Sequence, residues 1–270
     1  DCYFDERAED PNERLKGLVI SRRGTTLWTS PDGLTWRKLE GVQWRTGHPD
    51  PPSTAFWNEV RKSYVISSCP PPNPGQPRRI GFSETKDWRT FSDCEVALTP
   101  DAMDSPLAML YGMIVFPYEG RFVGLLWVHH RDPGLVYKYF GGKTDCQLAD
   151  SYNGWHFQRT LREPFMPNAA IGEPGAGTMR PHSMLVDDEQ TIRIYSSSSK
   201  LEHGHHVWGD NPGAILLHRL RLDGFIYATG QHFQPFLQRL PRDAKRRGEL
   251  DGLAPSADGS YCASLAACRA

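Results

Sequence analysis

The sequence predicts an all-β fold, a β-propeller of four-stranded antiparallel blades, on three observations. One turn motif recurs along the chain. A short strand-like run precedes each copy. The composition, with 22 prolines, 25 glycines and 11% aromatics, suits short strands joined by many turns better than long helices. The turn is Ser30-Pro31-Asp32-Gly33-Leu34-Thr35-Trp36, and it returns as Ser151-Tyr152-Asn153-Gly154-Trp155-His156-Phe157. It returns without the serine as Asp223-Gly224-Phe225-Ile226-Tyr227, and a degenerate copy is read at Ser83-Glu84-Thr85-Lys86-Asp87-Trp88. Asp-Gly or Asn-Gly supplies the positive φ that a tight strand-joining turn requires. The aromatic behind it starts the returning strand and packs across the turn. Such a turn recurring every ~50–70 residues is the mark of a propeller.

Taken in order, residues 1–46 form the first unit: an irregular acidic start, then paired strands at Leu15 to Ser21 and Thr25 to Thr29, then the first turn. Residues 47–97 form the second. It opens on Gly47-His48-Pro49-Asp50-Pro51-Pro52, too rich in proline for strand interior, and continues through strands at Thr54 to Trp57, Ser63 to Ser68, Arg78 to Phe82 and Arg89 to Phe91. Residues 98–163 form the third, in which the apolar run Leu107 to Phe116 fits a fully buried inner strand, followed by Phe122 to His129 and Asp145 to Ala149. Residues 164–229 form the fourth, with strands at Met179 to Val186, Thr191 to Ser196 and Ile215 to Leu220. The propeller domain therefore spans 1–229. Residues 230–270 hold a basic cluster and an Ala/Ser stretch, read as one or two remnant strands near Phe233 to Leu240 and a flexible tail. Four units plus a remnant give a five-bladed propeller in which one blade is incomplete or finished by the tail.

The formal net charge of −1 offers no electrostatic case for nucleic acid or an anionic membrane surface. No apolar run approaches the ~18 residues of a transmembrane helix. The chain starts at Asp1 rather than Met, so it is read as processed or as a fragment of a longer protein. The six cysteines are scattered and none forms a C-x-x-C pair, which argues against a zinc ribbon. Disulfides are permitted, although Cys146 lies in a strand and reads as a buried apolar residue. A monomer is expected, in a secreted or periplasmic setting ahead of a cytoplasmic one, with neither a cofactor nor a metal.

These motifs carry a resemblance. Units bearing S-x-D-G-x-x-W, with acidic residues before inner strands, resemble the five-bladed glycoside hydrolases of the families 32, 43, 68 and 130 type. The stretch Gly141 to Gly154 is similar to the D-x-x-L-A-x-S-x-D-G-x-x-W run of uncharacterised family-32-like proteins, and Arg219-Leu220-Arg221-Leu222-Asp223-Gly224-Phe225 shares it. The resemblance covers roughly residues 3–229. Arg131-Asp132-Pro133 matches the family's Arg-Asp-Pro tripeptide, whereas Glu9-Asp10-Pro11-Asn12 is only an echo of its Trp-Met-Asn-Asp-Pro-Asn-Gly signature. The resemblance implies a hydrolase that cleaves a glycosidic bond, with carbohydrate as its partner.

Glycoside cleavage uses two carboxyl groups flanking one sugar, about 5–5.5 Å apart for retention and about 6.5–9.5 Å apart for inversion. In a propeller such groups sit on loops feeding the inner strands. Asp10 or Asp50 is expected as base or nucleophile and Glu173 as acid, with Asp104 orienting substrate or tuning the acid. The common alternative for each is a solvated carboxylate capping a turn. His48, Arg180 and His182 are candidates for binding sugar hydroxyls or a carboxylate, Arg131 and Asp132 for lining the pocket with His129 and His130, and Tyr111 for stacking on a sugar face, with core packing the usual role of such aromatics. His203, His205 and His206 are dense enough to raise a metal, but no carboxylate partner is evident and a substrate-rim loop is the preferred reading. Against the hydrolase stands a non-catalytic propeller that binds a glycan or a protein, which the incomplete family-32 signatures favour.

Overall fold

The computed structural model describes residues 2–21, 24–46, 54–71, 76–132, 141–187, 191–204 and 213–225. The chain forms two compact units. The first is Asp1–Ser183 with Tyr195–Leu216; the second is Met184–Ile194 with Leu217–Ala270, of which 217–225 fall among the described residues.

The fold is all-β, with the antiparallel four-stranded sheets that the turn repeat predicts. Strands β1 (Cys2–Phe4), β2 (Leu15–Ser21), β3 (Gly24–Ser30) and β4 (Arg37–Thr46) form one sheet in chain order. Strands β5 (Thr54–Asn58), β6 (Ser63–Ser68), β7 (Ile80–Thr85) and β8 (Glu95–Leu98) form a second. A third begins with β9 (Ala108–Tyr118), β10 (Arg121–Arg131) and β11 (Gly142–Ser151), and antiparallel bridges from Gln158 to Asp150 and from Met166 to Cys146 lie along β11. Its order continues through β12 (Thr178–Val186), β13 (Thr191–Ser199) and β14 (Gly213–Arg221). Strands β11 and β12 meet in parallel at Thr144 and Thr178.

The recurring turn is one hydrogen-bonded device. Ser30 Oγ accepts from the Gly33 N–H at 2.9 Å, and Asp32 Oδ1 accepts from the Leu34 and Thr35 N–H groups, both at 2.8 Å. Ser151 and Asn153 repeat it: Gly154 N–H donates to Ser151 Oγ at 2.9 Å, and Trp155 and His156 donate to Asn153 Oδ1 at 3.0 and 2.9 Å. Gly33 and Gly154 adopt φ of +78° and +65°. The degenerate copy is real but two residues further on. Thr85 Oγ1 takes the serine's place, accepting from Trp88 N–H at 3.0 Å, and Asp87 Oδ1 accepts from Arg89 and Thr90 at 2.8 Å. Trp88 stands where the other copies have glycine, at φ +58°. Residues 89–91 therefore belong to the turn rather than to a strand, and the returning strand is β8. The Asp223 copy is a different turn, with Asp223 itself at φ +58° and Gly224 N–H donating to Arg221 at 3.0 Å.

Between the sheets lie continuous apolar layers. Strand β6 is buried along its whole length because both faces are covered. Val65 packs with Phe56, Phe82, Leu110 and Leu126, whereas Tyr64 and Ile66 pack with Leu18, Leu27, Trp44 and Trp88. A strand with period-two side chains and a core on each side reads as an unbroken apolar run, and the same holds for β9 and β10. Cys146 is fully buried in β11, and burial pushes its thiol pKa well up, as expected of a small apolar residue. The predicted strand near Phe233 to Leu240 lies outside the described residues.

Candidate functional site

The site is built where β9 begins and β10 ends. The β9–β10 ladder pairs Trp127 with Gly112 and then Val128 with Leu110, so Tyr111 is an extra residue on β9. A bulge re-aims the side chain it carries. Tyr111 is 7% exposed and turns against rings from elsewhere: His129 at 4.6 Å between centroids and His203 at 5.1 Å, edge-on. Two guanidinium groups face the same ring, Arg78 with its carbon 4.3 Å from the centroid and Arg180 with its carbon 5.7 Å away. Arg180 also lies 5.9 Å from the Trp127 ring, and Trp127 donates its indole N–H to the Pro181 carbonyl at 2.9 Å, tying β10 to β12. His182 stands edge-on to Trp127 at 4.7 Å and shares a 2.8 Å hydrogen bond with Ser197 Oγ. Burial, then the charge of Arg180, lowers the His182 pKa, so its imidazole is neutral near pH 7. Burial likewise lowers the Arg180 pKa, Tyr111 opposes this and Arg78 adds to it; an arginine starts so high that the group stays charged.

Beside this ring cluster runs a polar network. Arg159 donates to both oxygens of Asp104, at 2.7 and 2.6 Å, and to Gln147 Oε1 at 2.6 Å. Arg162 spans Asp101 and Asp104, at 2.7 and 3.3 Å. Burial pushes the Asp104 carboxyl up, but the hydrogen bonds and charges of the arginines outweigh it and hold the pKa below the usual range. His130 Nε2 meets Asp145 Oδ2 at 2.7 Å, and that bond raises the His130 pKa over the opposing effect of burial. An open cavity of about 570 Å³ lies at this end of β9, lined by Asp101, Asp104, Ser105, Leu107, Met109 and Arg131 among others.

The expected residues divide by position. Tyr111, Arg180 and His182 stand in the ring cluster, and Asp104 and Arg131 line the cavity next to it. Asp132 follows β10 and donates its N–H to the Gly141 carbonyl at 2.9 Å. Glu173 is exposed on the loop that leads to β12. Asp10 lies elsewhere. Because β1 precedes it, Asp10 is on the β1–β2 connection, at the opposite end of a meander from the loop that feeds its first strand. There it caps the single-turn helix Pro11–Glu13, accepting from Asn12 N–H at 2.8 Å, with Arg37 at 3.5 Å. His48 and Asp50 lie outside the described residues, as do His205 and His206. Among the described residues no group of three or more His, Cys, Asp or Glu stands together as a metal site.

Three participants escaped the sequence reading. Arg78 was read only as the first residue of the strand Arg78 to Phe82, after a proline-rich loop. Arg159 and Arg162 follow a repeat turn and drew no assignment.

No family model matches the sequence, and no curated protein matches it. Solved structures with similar folds include an endo-arabinase from Bacteroides thetaiotaomicron, at 15% identity and a TM-score of 0.44, covering 65% of this chain and 52% of that one. They include a family 117 glycoside hydrolase from the marine bacterium Zobellia galactanivorans, at 13% identity and a TM-score of 0.47, covering 63% and 51%. They also include a family 32 β-fructofuranosidase from Bombyx mori, at 14% identity and a TM-score of 0.45, covering 78% and 46%. The chain thus spans about half the length of each of these structures.

Proposed function

We propose that this protein is a glycoside hydrolase-like protein that takes carbohydrate where β9, β10 and β12 come together. The observation that carries this is the bulged Tyr111, set among His129, His203, Arg78 and Arg180, with Trp127 and His182 alongside. Aromatic side chains beside planar donors suit the wall of a sugar site; Tyr111 and Trp127 are buried and would form that wall, while the open cavity at the start of β9 offers the space. In its finer form the proposal is a five-bladed propeller that hydrolyses a glycosidic bond with paired carboxylates, Glu173, on the exposed loop before β12, as the acid and Asp50 as its partner. Asp104 then orients the site, since its two arginines hold it ionised and fixed. Asp10 is the weaker choice for base, being engaged as a cap.

A panel of plant and microbial glycans, assayed for binding and for release of reducing ends, tests both levels. Release that is lost in Glu173→Gln, with the fold intact, supports hydrolysis. Saturable binding with no release selects the non-catalytic reading, which the full engagement of Asp104 favours. Neither binding nor release from any glycan overturns the proposal.

A further inference from the structure

His130 and Asp145 form a pair to which the ring cluster gives no role. The β9–β10 ladder sets His130 opposite Ala108, and the β10–β11 ladder sets it opposite Lys143. Residues opposed in an antiparallel ladder share a face, with Cβ atoms about 4.5–5.5 Å apart. Ala108 lines the open cavity at the start of β9, as does Arg131, the next residue along β10, so His130 stands at the edge of that space. Its side chain is 43% exposed, whereas Asp145 is buried. Asp145 lies two positions along β11 from Lys143, hence on the same face, and its Oδ2 accepts from His130 Nε2 at 2.7 Å. Nε2 therefore carries a hydrogen, and Nδ1 of the neutral ring keeps its lone pair, with no partner among the described residues. Asp145 Oδ1 is buried and likewise has no hydrogen-bond partner among the described residues. Strands β10 and β11 are already joined along their length, so their pairing does not require a buried carboxylate with one oxygen unpaired, a group that costs stability. An imidazole turned by a carboxylate is the arrangement of a general base. The carboxylate fixes tautomer and ring, and stabilises the imidazolium that forms when the other nitrogen takes a proton. The loop that carries Glu173 is tied to the same strand, since Asn168 Nδ2 donates to the carbonyls of Thr144, beside Asp145, and of Gly175, at 2.9 and 3.1 Å.

We propose that His130, oriented by Asp145, is the general base of this cavity and takes the proton of the water that attacks the anomeric carbon. The inference rests on the carbohydrate reading above; it moves the base from Asp50 to His130 and leaves Glu173 as the acid. In the step, the water oxygen bonds to the anomeric carbon as the glycosidic C–O bond breaks. The electron pair of that bond goes to the leaving oxygen, which takes its proton from Glu173, and the proton shed by water goes to His130 Nδ1. Because water attacks directly, the reaction inverts the anomeric configuration.

Turnover of a panel of 2,4-dinitrophenyl pentosides and hexosides by the full chain decides the matter, because that leaving group departs without a proton and the rate reports the base. His130→Gln should lower kcat by about a hundredfold or more with KM little changed. Asp145→Asn should lower it in the same direction, and Glu173→Gln should leave these substrates near the wild-type rate. Added imidazole should restore part of the rate to His130→Ala, and proton NMR should show an inverted product. The base must be neutral to act, so kcat/KM should rise with pH through the folded pKa of His130. The Asp145 hydrogen bond raises that pKa above its ordinary 6.5 against burial, and the charges of Asp145 and Asp104 raise it against Arg159, with Lys143 opposite the ring and Arg131 next in β10. A carboxylate base would put this rise near about 4. A wild-type rate in His130→Gln, a rise near about 4, or a product of retained configuration each overturns the base and leaves the carbohydrate reading intact. So does a loss that imidazole does not relieve and that comes with a melting temperature several degrees lower, since the ring would then serve the fold alone. Saturable binding of glycans with no release of dinitrophenol also overturns the base and spares the carbohydrate reading, whereas neither binding nor release overturns both.

Discussion

At the scale of single residues, the turn motif separates what a side chain does from what a backbone angle allows. Ser30, Ser151 and Thr85 each place one hydroxyl oxygen on a backbone N–H that would otherwise be unpaired inside the turn. Ser30→Ala, Ser151→Ala or Thr85→Val should each lower stability by about 1–2 kcal/mol, read from urea midpoints. The glycines are not equivalent. An alanine Cβ at Gly33 would meet only Leu15 Cδ1, at an ordinary 3.5 Å, whereas at Gly154 it would meet Asn58 Nδ2 at 2.6 Å and the Phe122 ring at 3.0 Å. Both positions carry the cost of positive φ, about 1 kcal/mol. Gly154→Ala should therefore destabilise clearly more than Gly33→Ala, and equal losses would show that the Asn58 contact is dispensable. Trp88 endures the same region of φ because its indole is buried among Leu18, Tyr64 and Ile66. Burial of that ring outweighs the local strain.

At the scale of elements, the loop before β9 is fixed by charge. Asp104 and Arg159 are both buried, and removing one partner leaves the other stranded. Asp104→Asn should cost about 3–5 kcal/mol, whereas Glu173→Gln, on an exposed loop, should stay within about 0.5 kcal/mol. The contrast matters for function, because lost activity in the first variant would report a damaged loop and in the second a missing carboxyl group. The two titrating pairs here have opposite signs. Asp104 has a folded pKa below its unfolded value, so its contribution is present above the ordinary carboxylate range near about 4 and is lost as pH falls through the folded pKa. His130 has a folded pKa above its unfolded value. Its contribution is full below about 6.5 and is lost as pH rises through the folded pKa. Melting temperatures measured from pH 3 to 9 should thus fall at the acid end in a manner that Asp104→Asn removes. A smaller decline above neutrality should vanish in Asp145→Asn.

At the scale of the whole molecule, stability in the first unit comes from sheets stacked face to face with aromatic side chains between them. Phe82 on β7 is fully buried and packs against Phe56 in its own sheet and against Trp155 and Phe157 behind the β11 turn, with ring centroids 6.1, 5.5 and 5.7 Å away. The ring therefore clamps the second sheet to the third. Phe82→Ala should cost about 3–5 kcal/mol in equilibrium unfolding, since the cavity opens between two rigid layers that cannot close over it. A loss under about 1 kcal/mol would mean that the sheets do not depend on this contact.

The sequence by itself determined the local structure. Leu15–Ser21 and Ser63–Ser68 were legible as strands because apolar and β-branched runs bounded by turn residues admit little else, and the Ser-x-Asp-Gly spacing dictates its own hydrogen bonds. It was silent on β1, a half-exposed strand of three residues, and on β8, an edge strand with polar and exposed positions, because neither buries enough apolar surface to show a period. Missing β1 is what moved Asp10 onto the wrong kind of loop. Only the tertiary structure decided the site. Arg78, Tyr111, Trp127, Arg180 and His203 come from separate elements, and their meeting depends on a one-residue bulge in β9 and a single parallel bridge between β11 and β12. Neither leaves a trace in composition or spacing, because both arise from how neighbouring strands are aligned, a property of pairs of segments and not of any one of them.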